Sequence, residues 1–250
     1  MTEFIVVIPA RFSSERLPGK PLRNIAGKPM LQHVYERGVE SGAQKVIIAT
    51  DDQRIADSAI SFDATVCMTS LQHQSGTDRL AEVARIHGWP ADTVIVNLQG
   101  DEPLMPPPLI GQCVSLLEDK RADVATLASP VRSEEDFFNP NVVKTVVDYE
   151  GFALYFSRAS IPFTRSDDPV FPAMQSTLHH HGIYAYRNGV LQQIVDAEQA
   201  PLELAEQLEQ LRAMSLGMRI KVGIPDMRPG PGVDTEEDLR VVEALLLSSG

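Results

Sequence analysis

Short apolar runs recur through the first half of the chain at Phe4 to Ile8, Lys45 to Ala49, Thr65 to Met68, Thr93 to Leu98 and Ala122 to Ala128. Helical patterns at Met30 to Ser41, Gln53 to Ser61, Thr77 to His87 and Pro108 to Leu117 separate most of them. A chain that alternates strand and helix covers both faces of its strands with helices, so the expected fold is α/β with a doubly wound, mainly parallel sheet. At 250 residues there is enough chain for one large domain with a real core.

From about Asn139 the texture changes. Extended segments at Val142 to Asp148, Ala153 to Phe156 and Gly182 to Arg187 surround a Pro- and Asp-rich stretch from Ser166 to Pro172. The expected organisation is one domain over residues 1–250 with an inserted substrate or dimer subregion at about 139–190. A helix from Leu202 to Leu216, a strand from Arg219 to Ile224 and a helix from Glu236 to Leu247 complete the pattern. Thr235 with Asp238 three residues later is close to a capping box.

The loop after the first run reads PARFSSERLPGKPL from Pro9 to Leu22, placing Arg11, Arg16 and Lys20 within ten positions of a chain whose net charge is -12. A buried strand delivers this loop to its carboxyl end, the edge at which open α/β sheets bind ligands. Gly19, Pro18 and Pro21 shape the backbone for close approach, while guanidinium and ammonium groups pair with phosphate oxygens. The loop reads as a triphosphate cradle. It is not a Walker A motif, because Pro21 follows Lys20 where Ser or Thr would hold magnesium. A G-x-G-x-x-G fingerprint is also missing after the first strand, which excludes a dinucleotide-binding dehydrogenase.

Three other places carry candidate chemistry. NLQGDEP at Asn97 to Pro103 ends the strongest central strand and sets Asp101 and Glu102 at the same edge; Asp101 is either a ligand for a hard cation or part of an acidic turn. Asp234, in GPGVDT, is either a second ligand or a helix-entry acid. HQSGTDR at His73 to Arg79 can present Ser75, Gly76 and Arg79 to a base or ribose while Ser75 or Thr77 caps the helix. His179, His180 and His181 alternate faces on an extended segment, so at most two share a target and a zinc site is not expected. In PLELAEQLEQLR the stripe Leu204, Leu208 and Leu211 reads as core, with Glu209 and Gln210 beside it.

Composition narrows the class. The acidic balance argues against general nucleic-acid binding, and a first apolar run of five residues is too short for a signal core or a membrane span. A cytoplasmic protein without membrane insertion is expected. Cys67 and Cys113 lack metal-site spacing and read as buried thiols.

Taken in order along nearly the whole chain, PARFSSERLPGKPL, ATDD, HQSGTDR, NLQGDEP, NPNVVK, YFSRASIP, HHGIYAYR and GVDTEEDL resemble the 3-deoxy-manno-octulosonate cytidylyltransferase family. The resemblance implies a nucleotidyltransferase fold and the reaction of CTP with 3-deoxy-D-manno-octulosonate (KDO) to give CMP-KDO and diphosphate for lipopolysaccharide inner-core assembly, with Mg2+ as cofactor and a homodimer. By the same resemblance Ala10, Arg11 and Lys20 bind the nucleotide, and Ser75, Gly76, Arg79 and Gln99 surround cytosine and ribose. Asp101 and Asp234 hold magnesium, and with Arg11 and Lys20 they form the catalytic set. Arg165, His180, Tyr184, Glu209 and Gln210 meet the sugar acid. Phe12 and Glu15 depart from the Tyr and Thr common in the family's first loop, and Glu15 is expected to point outward. The first loop does not separate KDO from an 8-amino analogue or a sialic acid.

Overall fold

The structure is a computed structural model that describes residues 2–13, 17–73, 75–165 and 170–248; Glu15, Arg16 and the start of the Pro- and Asp-rich stretch at 166–169 lie outside the described residues. The first half runs β1 (Phe4–Ala10), a small hairpin of β2 (Asn24–Ile25) and β3 (Lys28–Pro29), α1 (Met30–Glu40), β4 (Lys45–Thr50), α2 (Gln53–Ser61), β5 (Thr65–Met68), α3 (Gly76–Ile86), β6 (Val94–Asn97), α4 (Pro107–Ser115) and β7 (Val124–Pro130). The second half runs α5 (Glu134–Phe138), β8 (Lys144–Val147), β9 (Ala153–Ser157), α6 (Val170–Ser176), β10 (Leu178–Arg187), α7 (Asn188–Asp196), α8 (Pro201–Glu206), α9 (Gln210–Ser215), β11 (Ile220–Gly223) and α10 (Glu236–Ser248).

The main sheet has the order β11-β7-β10-β6-β1-β4-β5, and the β8–β9 hairpin joins it through β10. Period-two alternation explains why it is covered on both sides. Val6 and Ile8 of β1 and Ile48 of β4 pack with Leu31 of α1, Ile55 of α2 and Ile110 of α4. Ile5, Val7 and Ile47 point the other way, onto Leu80 of α3, Leu191 of α7 and Leu211 of α9. Strand β1 is parallel to both β4 and β6. The chain extends from β1 to β4 and β5 on one side and then returns to lay β6 on the other, which opens a crevice at the carboxyl ends of β1 and β6.

The stretch at about 139–190 is woven into the main sheet, where β10 lies between β6 and β7, antiparallel to both. An alternating pattern identifies a strand without naming its neighbours, and the β6–β10 pairing joins Asn97 to Tyr184, far apart in sequence. The helix expected from Leu202 to Leu216 breaks at Gln207, which adopts the left-handed conformation at φ 51° and ψ 50°. The break rotates the two halves out of phase. Leu208 and Leu211 are therefore buried, whereas Leu204 is 59% exposed and no part of the core.

A buried ion pair holds the broken helices together. Arg212 Nη2 donates to Glu203 Oε1 at 2.5 Å and Nε to Oε2 at 2.8 Å, with Ala200 N–H donating to the same carboxylate. Arg212→Ala leaves the Glu203 carboxylate buried without its partner, so denaturant unfolding is expected to show a loss of about 3–5 kcal/mol. A loss below about 1 kcal/mol would show the pair to be dispensable.

Candidate active site

Strand β1 ends at Ala10 and its loop returns through Gly19, whose left-handed φ of 66° starts the short turn that carries Lys20. Gly19 N–H donates to Phe12 O at 3.1 Å, closing the loop. Phe12 fits by packing: its ring lies against Gly19 on one side and under the Arg54 guanidinium, 3.3 Å from the ring centroid. Across the crevice, the loop after β6 lies so close to β1 that a Cβ at Gly100 would sit 2.8 Å from Pro9 O. Only glycine permits that approach.

These two loops, with the start of α3, form a polar cleft of about 630 Å³ lined by Ala10, Arg11, Lys20, Gly76, Gln99 and Asp101 among others. Lys20 Nζ donates to Asp101 Oδ2 at 2.8 Å and to Asp234 Oδ1 at 3.0 Å. Burial acts to lower the pKa of this ammonium, but the two carboxylates outweigh it and hold the value above that of an ordinary lysine. The loop before α10 is also fastened by backbone, since Val233 N–H donates to Asp101 O at 2.9 Å. Glu102 lies beside Gly232, and burial, followed by the charges of Asp101 and Asp234, pushes its carboxyl well above the usual range. Thr235 and Asp238 cap α10 reciprocally, as the sequence predicts.

Behind the cleft is an inner cavity of about 250 Å³, lined by Thr77, Asn97, His180, Tyr184, Tyr186 and Gln210 among others. Gln99, Gln207 and Glu209 border both spaces. A bulge in β10 between His180 and Tyr184, with Gly182 at φ 70°, aims these side chains into the cavity. Thr126 Oγ1 donates to Ile183 O at 2.6 Å, so it accepts from His180 Nε2–H at 2.9 Å and leaves Nδ1 as an acceptor. Burial, and then the neighbouring His181 and His179, lowers the His180 pKa to about 3, so the ring is neutral. His179 and His181 lie together, with ring centroids 5.2 Å apart, away from His180 in the expected alternation. Thr77 Oγ1 donates to Glu209 Oε2 at 2.5 Å. Tyr184 Oη, Gln210 Nε2 and Asn97 Oδ1 are buried without a hydrogen-bond partner among the described residues. Three such atoms around one cavity suit a polar ligand that would satisfy them.

The structure brings Ala10, Arg11, Lys20, Gly76, Gln99, Asp101 and Glu209 to the outer cleft, and His180, Tyr184, Gln99, Glu209 and Gln210 to the inner cavity. Asp234 joins them through Lys20. Ser75 caps α3, where its Oγ accepts from Asp78 N–H. Arg79 is not presented to either space: it is fully buried, donates to Thr69 Oγ1 and pairs with Asp51 at 2.8 Å. Its charge is spent on fixing α3 to the end of β4. Arg165 is exposed and lines neither space. Sequence reasoning missed Thr77, Asn97, Tyr186 and Gln207. The strand alternation around Asn97 was a usable signal for that residue, while Gln207 carried none.

Residues 5–220 match the family model described as cytidylyltransferase. The chain is 52% identical over 245 residues to the 3-deoxy-manno-octulosonate cytidylyltransferase of Vibrio vulnificus (strain CMCP6), covering 97% of this chain and 98% of that one. Its counterpart in Aeromonas salmonicida is also 52% identical, at the same coverage. A solved structure of CMP:2-keto-3-deoxy-manno-octonic acid synthetase complexed with CTP superposes with a TM-score of 0.90 at 42% identity, covering all of both chains. A cytidylyltransferase from Leptospira borgpetersenii, at 18% identity and a TM-score of 0.64 over 99% of this chain and 88% of that one, shares the fold. The chain belongs to the 3-deoxy-manno-octulosonate cytidylyltransferase family.

Proposed function

We propose that the chain transfers the cytidylyl group of CTP to KDO and releases diphosphate, supplying CMP-KDO for lipopolysaccharide inner-core assembly. The observation that carries this reading is the shared wall of Gln99, Gln207 and Glu209 between a charged cleft that suits phosphates and a polar cavity in which Glu209 is the one carboxylate among the described lining residues. Two substrates bound on either side of such a wall meet at one point. The unpaired groups of the inner cavity suit a polyhydroxy acid, since Tyr184 Oη and Gln210 Nε2 can donate to a carboxylate and Asn97 Oδ1 can accept from a hydroxyl. His180 is neutral and contributes hydrogen bonding, with no positive charge.

Charge determines how the nucleotide enters. Asp101, Asp234 and Lys20 leave one net negative charge where a triphosphate must lie, so the nucleotide needs a divalent cation beside it. The residues fit one, because two carboxylates already converge on a single cation-favouring position, now filled by the Lys20 ammonium. Asp101 and Asp234 would hold Mg2+. When bound, the ion screens the α-phosphate and lowers the pKa of the attacking sugar hydroxyl. Arg11 and Lys20 neutralise the diphosphate as it leaves, opposite an in-line attack by the anomeric hydroxyl on the α-phosphorus. Gln99 and Glu209, at the boundary, orient the two substrates. The family resemblance also supports a homodimer and a cytoplasmic location. No described helix is long and apolar enough to cross a membrane.

Diphosphate release is the test, with CTP, ATP, UTP and GTP each paired with KDO, 8-amino KDO and sialic acid. Release confined to CTP and KDO is expected. Release with CTP and another sugar acid would move the specificity, and none with any pair would refute the reading. Asp101→Asn is expected to lower turnover by about 100-fold or more while CTP binding stays measurable by calorimetry. Near-normal turnover in that variant would remove Asp101 from the metal site.

A further inference from the structure

Two segments with distinctive sequence, NPNVVK at Asn139 to Lys144 and YFSRASIP at Tyr155 to Pro162, supply Val143 to the inner cavity and nothing to the cleft, while Asn139, Asn141, Val142 and Val143 line an adjoining pocket with Asp101 and Asp234. Both segments also converge on the end of α8, where the left-handed Gln207 breaks the helix. Glu206 Oε1 accepts from Ser157 Oγ at 2.6 Å, and Oε2 accepts from Arg158 N–H at 2.9 Å. The Arg158 guanidinium donates from Nε to Glu206 O at 2.8 Å, from Nη1 to Pro140 O at 3.1 Å and from Nη2 to Gln207 O at 3.4 Å. Behind it, the fully buried Lys144 Nζ donates to Asn139 O at 2.7 Å and Arg158 O at 2.6 Å. The network therefore grips both the side chain and the last carbonyls of the helix.

Immediately beyond the gripped Glu206, the chain becomes the wall of the site. Gln207, Leu208, Glu209 and Gln210 are consecutive, and all four line the inner cavity. Glu209 and Gln210 face it only because the helix stops at Glu206; an uninterrupted helix would carry them to other azimuths, since each residue turns the helix by a fixed angle. A left-handed conformation at a non-glycine residue costs energy and persists where its surroundings hold it.

We propose that Ser157, Arg158 and Lys144 are positioning residues for the sugar acid: by clamping Glu206 they hold the α8–α9 turn so that Glu209 and Gln210 reach the inner cavity. The proposal rests on the cytidylyltransferase reading above. It assigns the clamp chiefly to the acceptor substrate, since all four residues Gln207 to Gln210 line the inner cavity, whereas the cleft takes only Gln207 and Glu209 from this turn and has Arg11, Lys20, Gly76 and Asp101 anchored on other elements.

The test measures steady-state kinetics and CTP affinity in Glu206→Ala, Glu206→Gln and Arg158→Ala. The KM for KDO is expected to rise about 10- to 100-fold in the alanine variants, a loss typical of misplaced substrate contacts. Glu206→Gln should fall between them and the parent, because its amide oxygen keeps one of the two accepted bonds. CTP affinity, measured by calorimetry with magnesium and no sugar, should change far less than the KM for KDO, because the clamped turn meets the cleft only through Gln207 and Glu209. A parent-like KM for KDO in folded variants would overturn the proposal, as would CTP affinity falling in step with it. If an alanine variant does not fold, the isosteric Glu206→Gln decides. A parent that releases no diphosphate with KDO would refute the cytidylyltransferase reading itself, whereas an active parent with unaffected variants refutes only the clamp.

Discussion

Lys20, Asp101 and Asp234 lie far apart in sequence, by 81 and 214 positions from the lysine, yet one ammonium touches both carboxylates. Those contacts place the two acidic oxygens no more than about 6 Å from each other, a spacing at which like charges in a partly screened site repel by about 3 kcal/mol or more. The lysine relieves that repulsion and draws together the loop after β1, the loop after β6 and the entry to α10. The rest of the cleft depends on this junction. Gly100 lets the second loop lie on Pro9, Gly232 leaves room for Glu102, and Val233 ties its backbone to Asp101. The resulting cleft carries two carboxylates converging on one ammonium, the arrangement on which the proposed metal site rests.

The sheet explains why the junction can form at all. The return of the chain from β5 to β6, on the far side of β1, places two strand ends side by side with no helix between them. The antiparallel β10 then closes the sheet toward β7, and its bulge turns His180 and Tyr184 into the inner space. A wall of Gln99, Gln207 and Glu209 thus separates two spaces of different character. The outer side carries Arg11, Lys20 and Asp101, while the inner side is built mostly from uncharged polar groups, three of them with an unpaired atom among the described residues.

Much of this was legible in the sequence where the signal was local. The five apolar runs, the Ser75 cap and the reciprocal Thr235–Asp238 cap each occupy a short window, and each folds as its pattern indicates. The illegible parts depend on distant partners. Leu204 fits a helical stripe on spacing, but spacing does not show that the chain turns left-handed at Gln207, beside the Glu206 carboxylate that Ser157 and Arg158 bond. Arg79 in a polar loop has the chemistry of a ligand contact until Asp51 and Thr69 are seen to consume it. The pattern of β10 is that of a strand, yet nothing in it says that the strand lies in the middle of the main sheet. Alternation along β6 marks the face on which Asn97 lies, whereas the place of Tyr186 in the cavity emerges only once β6 and β10 are paired.

The central claim is that the Lys20 ammonium occupies the position where a divalent cation belongs. Manganese binding without nucleotide, followed by electron paramagnetic resonance in the parent and in Lys20→Met, tests it most directly. The account predicts that the variant binds manganese about tenfold or more tightly than the parent, because a competing positive charge is gone from between Asp101 and Asp234. Equal or weaker binding in Lys20→Met would contradict it, and the two carboxylates would then have no claim to the metal.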